Sequence, residues 1–369
     1  MMQKPNRLDQ LDGLRAFAAL GVLWIHTWTL FGNPNYKIWY IDISKILAIG
    51  GNGVDFFFVI SGFCMYYFYG AKNVSLSFYK KYFIKRYLRI APAFYLCLIF
   101  ILFLKLNIIH DLAEWSAKLL ANLFFVQNII PNTGISAHFW SIAVEIHFYI
   151  ILPILIWCFK KYGFLKTFII FLILSFVLGG LLLQFYPLNR SILHYQITIR
   201  LPQFLCGILA GYLVLNKDIF SMKQKKYLYS TISILFGVIL MYFFRFFLTD
   251  GILKNYATYY GLLKMIGLTF MTFGFMIILV NVIINPSSLV AKILSSKFLS
   301  FLGRISYSFY LWHIIVIVNI NSLMQPFNIQ GMKGACICFF ISIFILIPIS
   351  YISYRFIEIP FQKFNKKIK

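Results

Sequence analysis

Ten stretches of about twenty apolar residues run through this chain, the length a helix needs to cross the hydrocarbon core of a bilayer. They fall near residues 14–31, 51–69, 91–109, 140–159, 167–186, 197–215, 229–249, 262–284, 301–319 and 333–356. A further apolar piece, Leu119 to Ile130, is too short to span and stops at Pro131, which suits an interfacial or re-entrant segment. No strand-like alternation, fixed-period repeat or soluble-length region remains. The expected fold is an all-α polytopic membrane protein, one transmembrane domain over residues 1–369. Composition agrees: 61% of residues are hydrophobic and 12% charged, against about a half and a quarter in soluble domains. The six cysteines (Cys64, Cys97, Cys158, Cys206, Cys336 and Cys338) sit inside apolar runs and read as small hydrophobes, which excludes a disulfide scaffold.

A net charge of +24 would suit a nucleic-acid binder, but its distribution follows the membrane. With the N-terminus inside, the inner segments carry 22 Lys and Arg and the outer loops 5. The positive-inside rule then puts both termini in the cytoplasm, and no nucleic-acid partner is called for. No small-residue cleavage site follows the first span, so it is not read as a removable signal. The abundance of Lys, Asn, Ile and Phe points to an AT-rich, bacterial genome, and hence to a multi-pass protein of the inner (plasma) membrane.

Ionisable groups inside a membrane are costly, about 2.5–3.5 kcal/mol at the centre, so each is a functional candidate. At about 1.5 Å of rise per residue, this topology puts His26 and His313 about 18 Å above the inner boundary, Glu145 near 22 Å and Asp55 near 24 Å. Four titratable groups from four helices would share one layer in the outer half of the membrane. Each alone could be a satisfied buried polar group; four at one depth favour a reaction centre. Arg15 and His26 are eleven residues apart, about 16 Å in rise and within about 20° of one stripe. That suits a long ligand with an anionic head below and a reactive end above, or else a snorkelling Arg and a packed His.

Arg86 and Arg89 are i,i+3 neighbours at the inner surface, suited to bidentate phosphate recognition or to anionic lipid headgroups. On the outer side, Arg200, Arg245 and Lys264 fall near the ends of spans 6, 7 and 8. They either face a sugar-rich or anionic acceptor or snorkel to headgroups. Arg304, nine residues before His313, falls on the opposite helical face and is not placed in the site.

These residues sit in a recognisable series. Leu11-Asp12-Gly13-Leu14-Arg15 continuing to His26 resembles the R-x10-H signature of the acyltransferase-3 family of membrane acyltransferases. Gly53-Val54-Asp55-Phe56-Phe57-Phe58-Val59-Ile60-Ser61-Gly62-Phe63 is similar to its second-helix segment, and Arg86-Tyr87-Leu88-Arg89-Ile90-Ala91-Pro92 to its R-x-x-R motif. The run from Phe139-Trp140-Ser141 through Glu145 to Phe148-Tyr149, the stretch Ser306 to His313, and Glu358-Ile359-Pro360-Phe361 resemble three further motifs in the family's order. Ile146-His147 departs from the pair that many relatives carry after the glutamate. The chain ends soon after the tenth span, with Lys366, Lys367 and Lys369, so no esterase-like extracytoplasmic domain is expected.

The resemblance implies transfer of an acyl group, usually acetyl, from cytoplasmic acyl-coenzyme A to a hydroxyl of an envelope glycan or lipid-linked saccharide. It also implies roles for Arg15, His26, Arg86 and Arg89; no metal is called for. The expected mechanism docks the coenzyme phosphates on Arg86 and Arg89, supported by Arg15, and runs the pantetheine arm up the Arg15–His26 stripe. His26 serves as general base, Asp55 or Glu145 accepts its other N–H, and His313 and Tyr310 stabilise the oxyanion. A transient acyl-His26 is the alternative chemistry. A glycan or lipid-precursor transporter would also explain ten helices and basic inner loops, but not an Arg and a His on one stripe beside an R-x-x-R pair. A membrane scaffold would leave the polar layer without a use.

Overall fold

Residues 8–72, 75–105, 111–185, 195–216, 226–250 and 260–367 are described by a computed structural model. Ten long helices occupy the places the apolar stretches marked: α1 (Asp9–Leu30), α2 (Gly53–Tyr69), α3 (Leu76–Leu104), α4 (Trp140–Tyr162) and α5 (Phe164–Phe185), then α6 (Ile197–Leu215), α7 (Lys226–Asp250), α8 (Tyr260–Ile284), α9 (Ser306–Met324) and α10 (Gly331–Ser353). Among the described residues eight helices are long and apolar enough to cross a membrane. The other two of the ten are α1, whose first two turns carry Asp9, Asp12 and Arg15, and α7, apolar over Ser230–Arg245. The protein is an all-helical polytopic membrane protein, and its only described strands are two residues each, Lys37–Ile38 paired with Ile41–Asp42 between α1 and α2.

The outer surface shows why water is the wrong solvent. On α5, Ile169, Ile170, Ile173, Leu174, Val177 and Leu181 are all exposed. A contiguous apolar face of that size is a lipid-facing surface. Local chemistry sets the helix ends. Ser75 Oγ accepts from Phe78 N (3.1 Å) and so caps α3. Gly163, with φ +86°, is the single residue between α4 and α5 and takes a conformation that side-chain-bearing residues resist. Pro202 frees the Thr198 carbonyl inside α6, and the Ser175 hydroxyl donates to it. Around the Leu119–Ile130 piece, Asp111 caps a helix, Leu112–Leu123, six of whose twelve residues are exposed, and irregular chain follows it.

The chain forms two compact units, residues 1–68 with 203–347 and residues 69–202 with 348–369. In the first, α2 and α6 pack backbone to backbone. A Cβ added to Gly62 would stand 2.1 Å from the Phe204 carbonyl oxygen, and one on Gly207 1.9 Å from that of Val59. Neither position admits a side chain. In the second unit, α3 runs unbroken for 29 residues and packs against the π-helical turn Tyr354–Glu358 and the helix Ile359–Lys367. Hydropathy marked α3 only from Ala91 onward, because the basic run before Ile90 hides its helical beginning; the last residues of the 91–109 window, 106–109, lie outside the described residues.

Candidate functional site

In the first unit, α1 and α9 bring two imidazoles together. His313 Nε2 lies 3.1 Å from His26 Nδ1, and the ring centres are 5.0 Å apart. Backbone contacts decide the protons. His26 Nδ1 is 3.0 Å from the Val22 carbonyl and His313 Nδ1 is 2.5 Å from the Tyr310 carbonyl. A carbonyl oxygen only accepts, so each Nδ1 carries a hydrogen. His313 Nε2 is then the acceptor of the His26 Nδ1–H, which it shares with Val22. The neutral tautomer this fixes leaves the lone pair of His26 on Nε2, where no described side chain engages it. His26 is half-buried and His313 buried.

Two expected roles meet a different geometry. Among the described residues His26 contacts the Val22 carbonyl and His313 and no carboxylate; Asp55, in the first turn of α2, is buried and its Oδ2 accepts from Asn52 Nδ2 at 3.1 Å. Nor is His313 set to donate to an oxyanion, since one ring nitrogen faces the Tyr310 carbonyl and the other His26. Tyr310 keeps its ring 5.3 Å from that of His313. Of the four residues expected in one layer, this unit holds three, and it brings His26 and His313 into direct contact. Arg15, one stripe below His26 on α1, is half-buried. Its Nη1 pairs with Asp12 at 2.9 Å and its Nη2 donates to Cys64 Sγ at 3.2 Å. The pair offsets part of the cost of sinking a guanidinium among apolar helices. Arg245 is half-buried, with Nη2 3.9 Å from where a Cβ on Gly51 would stand, and Lys264 is half-buried on α8.

In the second unit, Arg86 lies in a tyrosine box. Its Nη2 donates to Tyr69 Oη (2.9 Å), and its Cζ is 5.1 Å from the Tyr69 ring centre and 6.0 Å from that of Tyr149. Tyr82 meets both rings edge-on. Cation–π contact of this kind holds a guanidinium away from water. The Arg86 Nε–H is nevertheless buried and donates to no described residue. Arg89, one turn on, is exposed. Tyr149 Oη donates to Glu145 at 2.5 Å, which ties Glu145 to the arginine box. The depth reckoning had set Glu145 about 20 Å above Arg86. It failed because α3 begins at Leu76 and carries Arg86 up its length as part of one helix. Arg200 does not snorkel: it is buried, with Cζ 5.1 Å from the Trp140 ring centre.

Sequence reasoning missed Tyr69 and Tyr82, which come to Arg86 from the end of α2 and from one turn earlier on α3. It also missed Asn52 and the Val22 carbonyl. The only available signal was Tyr149, one turn after Glu145 inside a quoted motif.

The profile of the acyltransferase-domain family matches residues 8–355, nearly the whole chain and both units. The chain belongs to the acyltransferase-3 family. Among curated proteins it is similar to the O-acetyltransferase OatA of Staphylococcus aureus strain NCTC 8325, at 30% identity over 98% of this chain. It is also similar, at 29% identity, to a putative O-acetyltransferase of Staphylococcus aureus strain COL, SACOL0978. The chain spans 58% of the length of each of these relatives. No solved structure matches.

Proposed function

We propose that this family member is a membrane O-acyltransferase that carries an acetyl group from acetyl-coenzyme A to a hydroxyl of an envelope glycan. The observation that carries the reading is the tautomer of His26: its Nδ1–H is held by Val22 and His313, and Nε2 is left as a base. The O-acetyltransferase names of the relatives support the acetyl group and the oxygen acceptor.

The chemistry balances with this base. The acceptor O–H gives its proton to His26 Nε2 as its oxygen attacks the thioester carbonyl, forming the new C–O bond. The tetrahedral intermediate collapses, the C–S bond breaks, and the coenzyme thiolate takes the proton back from His26. The Tyr310 hydroxyl is the remaining candidate of the original pair for the oxyanion. His313 is a positioning residue. Arg86 and Arg89 bind the donor's phosphates; the buried Arg86 Nε–H without an acceptor supports an anionic ligand there. Arg15 supports the donor, and Arg245 and Lys264 stand toward the acceptor. Both termini are cytoplasmic, in the plasma membrane of a bacterium, and donor and acceptor arrive from opposite faces.

The test is transfer of radiolabelled acetyl from acetyl-coenzyme A to envelope glycan in sealed vesicles of known orientation, with wild type and His26→Ala. Ester-linked label on the glycan, donor use from the cytoplasmic face only, and loss of at least a hundredfold in His26→Ala are expected. Glycan movement without any acyl donor, or transfer within tenfold of wild type in His26→Ala, would sink the reading.

A further inference from the structure

The second unit holds a further polar cluster besides the arginine box. The Trp140 ring carries Tyr195 stacked at 4.6 Å as well as the buried Arg200 guanidinium. Two buried amides flank this stack. Gln127 Nε2 donates to the carbonyl of Phe139, the residue before Trp140, at 3.1 Å. Asn128 Nδ2 donates to the Tyr195 carbonyl at 2.8 Å, while the Asn128 backbone carbonyl accepts from Gln196 Nε2. With each amide nitrogen committed, the oxygen ends are fixed. Both oxygens, Gln127 Oε1 and Asn128 Oδ1, are buried and accept no hydrogen bond from any described residue. Exposures of 7% and 3% leave these amides little access to bulk solvent. Native structures rarely leave buried acceptors in this condition, because the lost hydration is not recovered.

We infer that this cluster docks a pyranose ring of the acceptor glycan. The reading rests on the proposed function, which needs an acceptor on the extracytoplasmic side, where the charge bias places this loop. The chemistry narrows the ligand class. Two carbonyl oxygens demand hydrogen-bond donors and would repel an anion. The Arg200 guanidinium over Trp140 would repel a cation. Tyr195, 37% exposed, offers an aromatic surface to an apolar C–H face. A neutral ring carrying many hydroxyls meets all three demands at once.

The probe is the envelope glycan of the producing cells, de-O-acetylated, cut to oligosaccharides and fluorescently end-labelled. It is titrated against full-length protein in nanodiscs with no acyl donor present. Wild type and Tyr195→Phe should bind alike, and Tyr195→Ala should bind about tenfold more weakly. Tyr195→Leu takes the place of Tyr195→Ala if the latter fails to fold. In turnover, the same ring-removing variant should raise KM for the oligosaccharide with kcat and donor KM within about twofold of wild type. Equal binding by wild type and the ring-removing variant, or no binding by wild type, overturns the site. If binding depends on Tyr195 but no acyl transfer occurs, the site stands and the proposed function fails.

Discussion

His313 separates two accounts of the same pair of rings. If it only positions His26, His313→Ala removes one of two acceptors of the His26 Nδ1–H and leaves the Val22 carbonyl, at 3.0 Å, to hold the tautomer. A single hydrogen bond of this kind contributes about 0.5–1.5 kcal/mol net, so kcat should fall only about two- to thirteenfold. If His313 were itself the base, the fall would be about 10²–10⁴-fold. His313 is buried, at 1% exposure, so the alanine also leaves a cavity. His313→Gln is therefore the better probe, because its Oε1 reaches close to the place of Nε2 and can accept the same hydrogen. The assay is acetyl transfer by purified protein across a pH series, with thermal unfolding measured on the same samples. His313→Gln should return to within about threefold of wild type. Its rate should still fall on the acid side with unit slope, because a protonated His26 cannot take the acceptor's proton. A loss beyond a hundredfold in a folded His313→Gln, or disappearance of the acid limb, would refute the tautomer argument.

Four other outcomes follow from the same geometry. Arg86→Ala should weaken acetyl-coenzyme A binding about ten- to a hundredfold, since charge-assisted hydrogen bonds contribute roughly 1.5–3 kcal/mol each; isothermal titration of the detergent-purified protein checks it, and unchanged affinity would return the arginines to lipid anchoring. Tyr69→Phe removes the 2.9 Å bond to Arg86 but keeps the ring, so donor KM should rise a few-fold with kcat preserved. Tyr149→Phe should act in the same direction by releasing Glu145, measured as donor KM. Gly207→Ala puts a methyl 1.9 Å from the Val59 carbonyl oxygen and should cost about 1–3 kcal/mol, seen as a lower unfolding midpoint in detergent.

The sequence by itself determined the ten helices and the membrane environment. Both follow from local content: each apolar run satisfies its own backbone as a helix and leaves apolar side chains that only lipid or other helices can cover. It also marked His26, His313 and Arg86, because charged or titratable groups among apolar neighbours are conspicuous on any reading. The partners of those groups were out of reach. Val22 and Tyr310 contribute backbone carbonyls that no residue type announces, and Tyr69 reaches Arg86 across seventeen positions of chain. Depth counted along single helices could not show that Asn52 donates to Asp55 or that His26 meets His313, because rise per residue says nothing of which way a side chain turns. Glu145 went astray for a different reason, as α3 starts fifteen residues before its apolar window. Tertiary structure alone decided these matters, since hydrogen-bond direction and tautomer depend on where two helices place their atoms to within about an ångström.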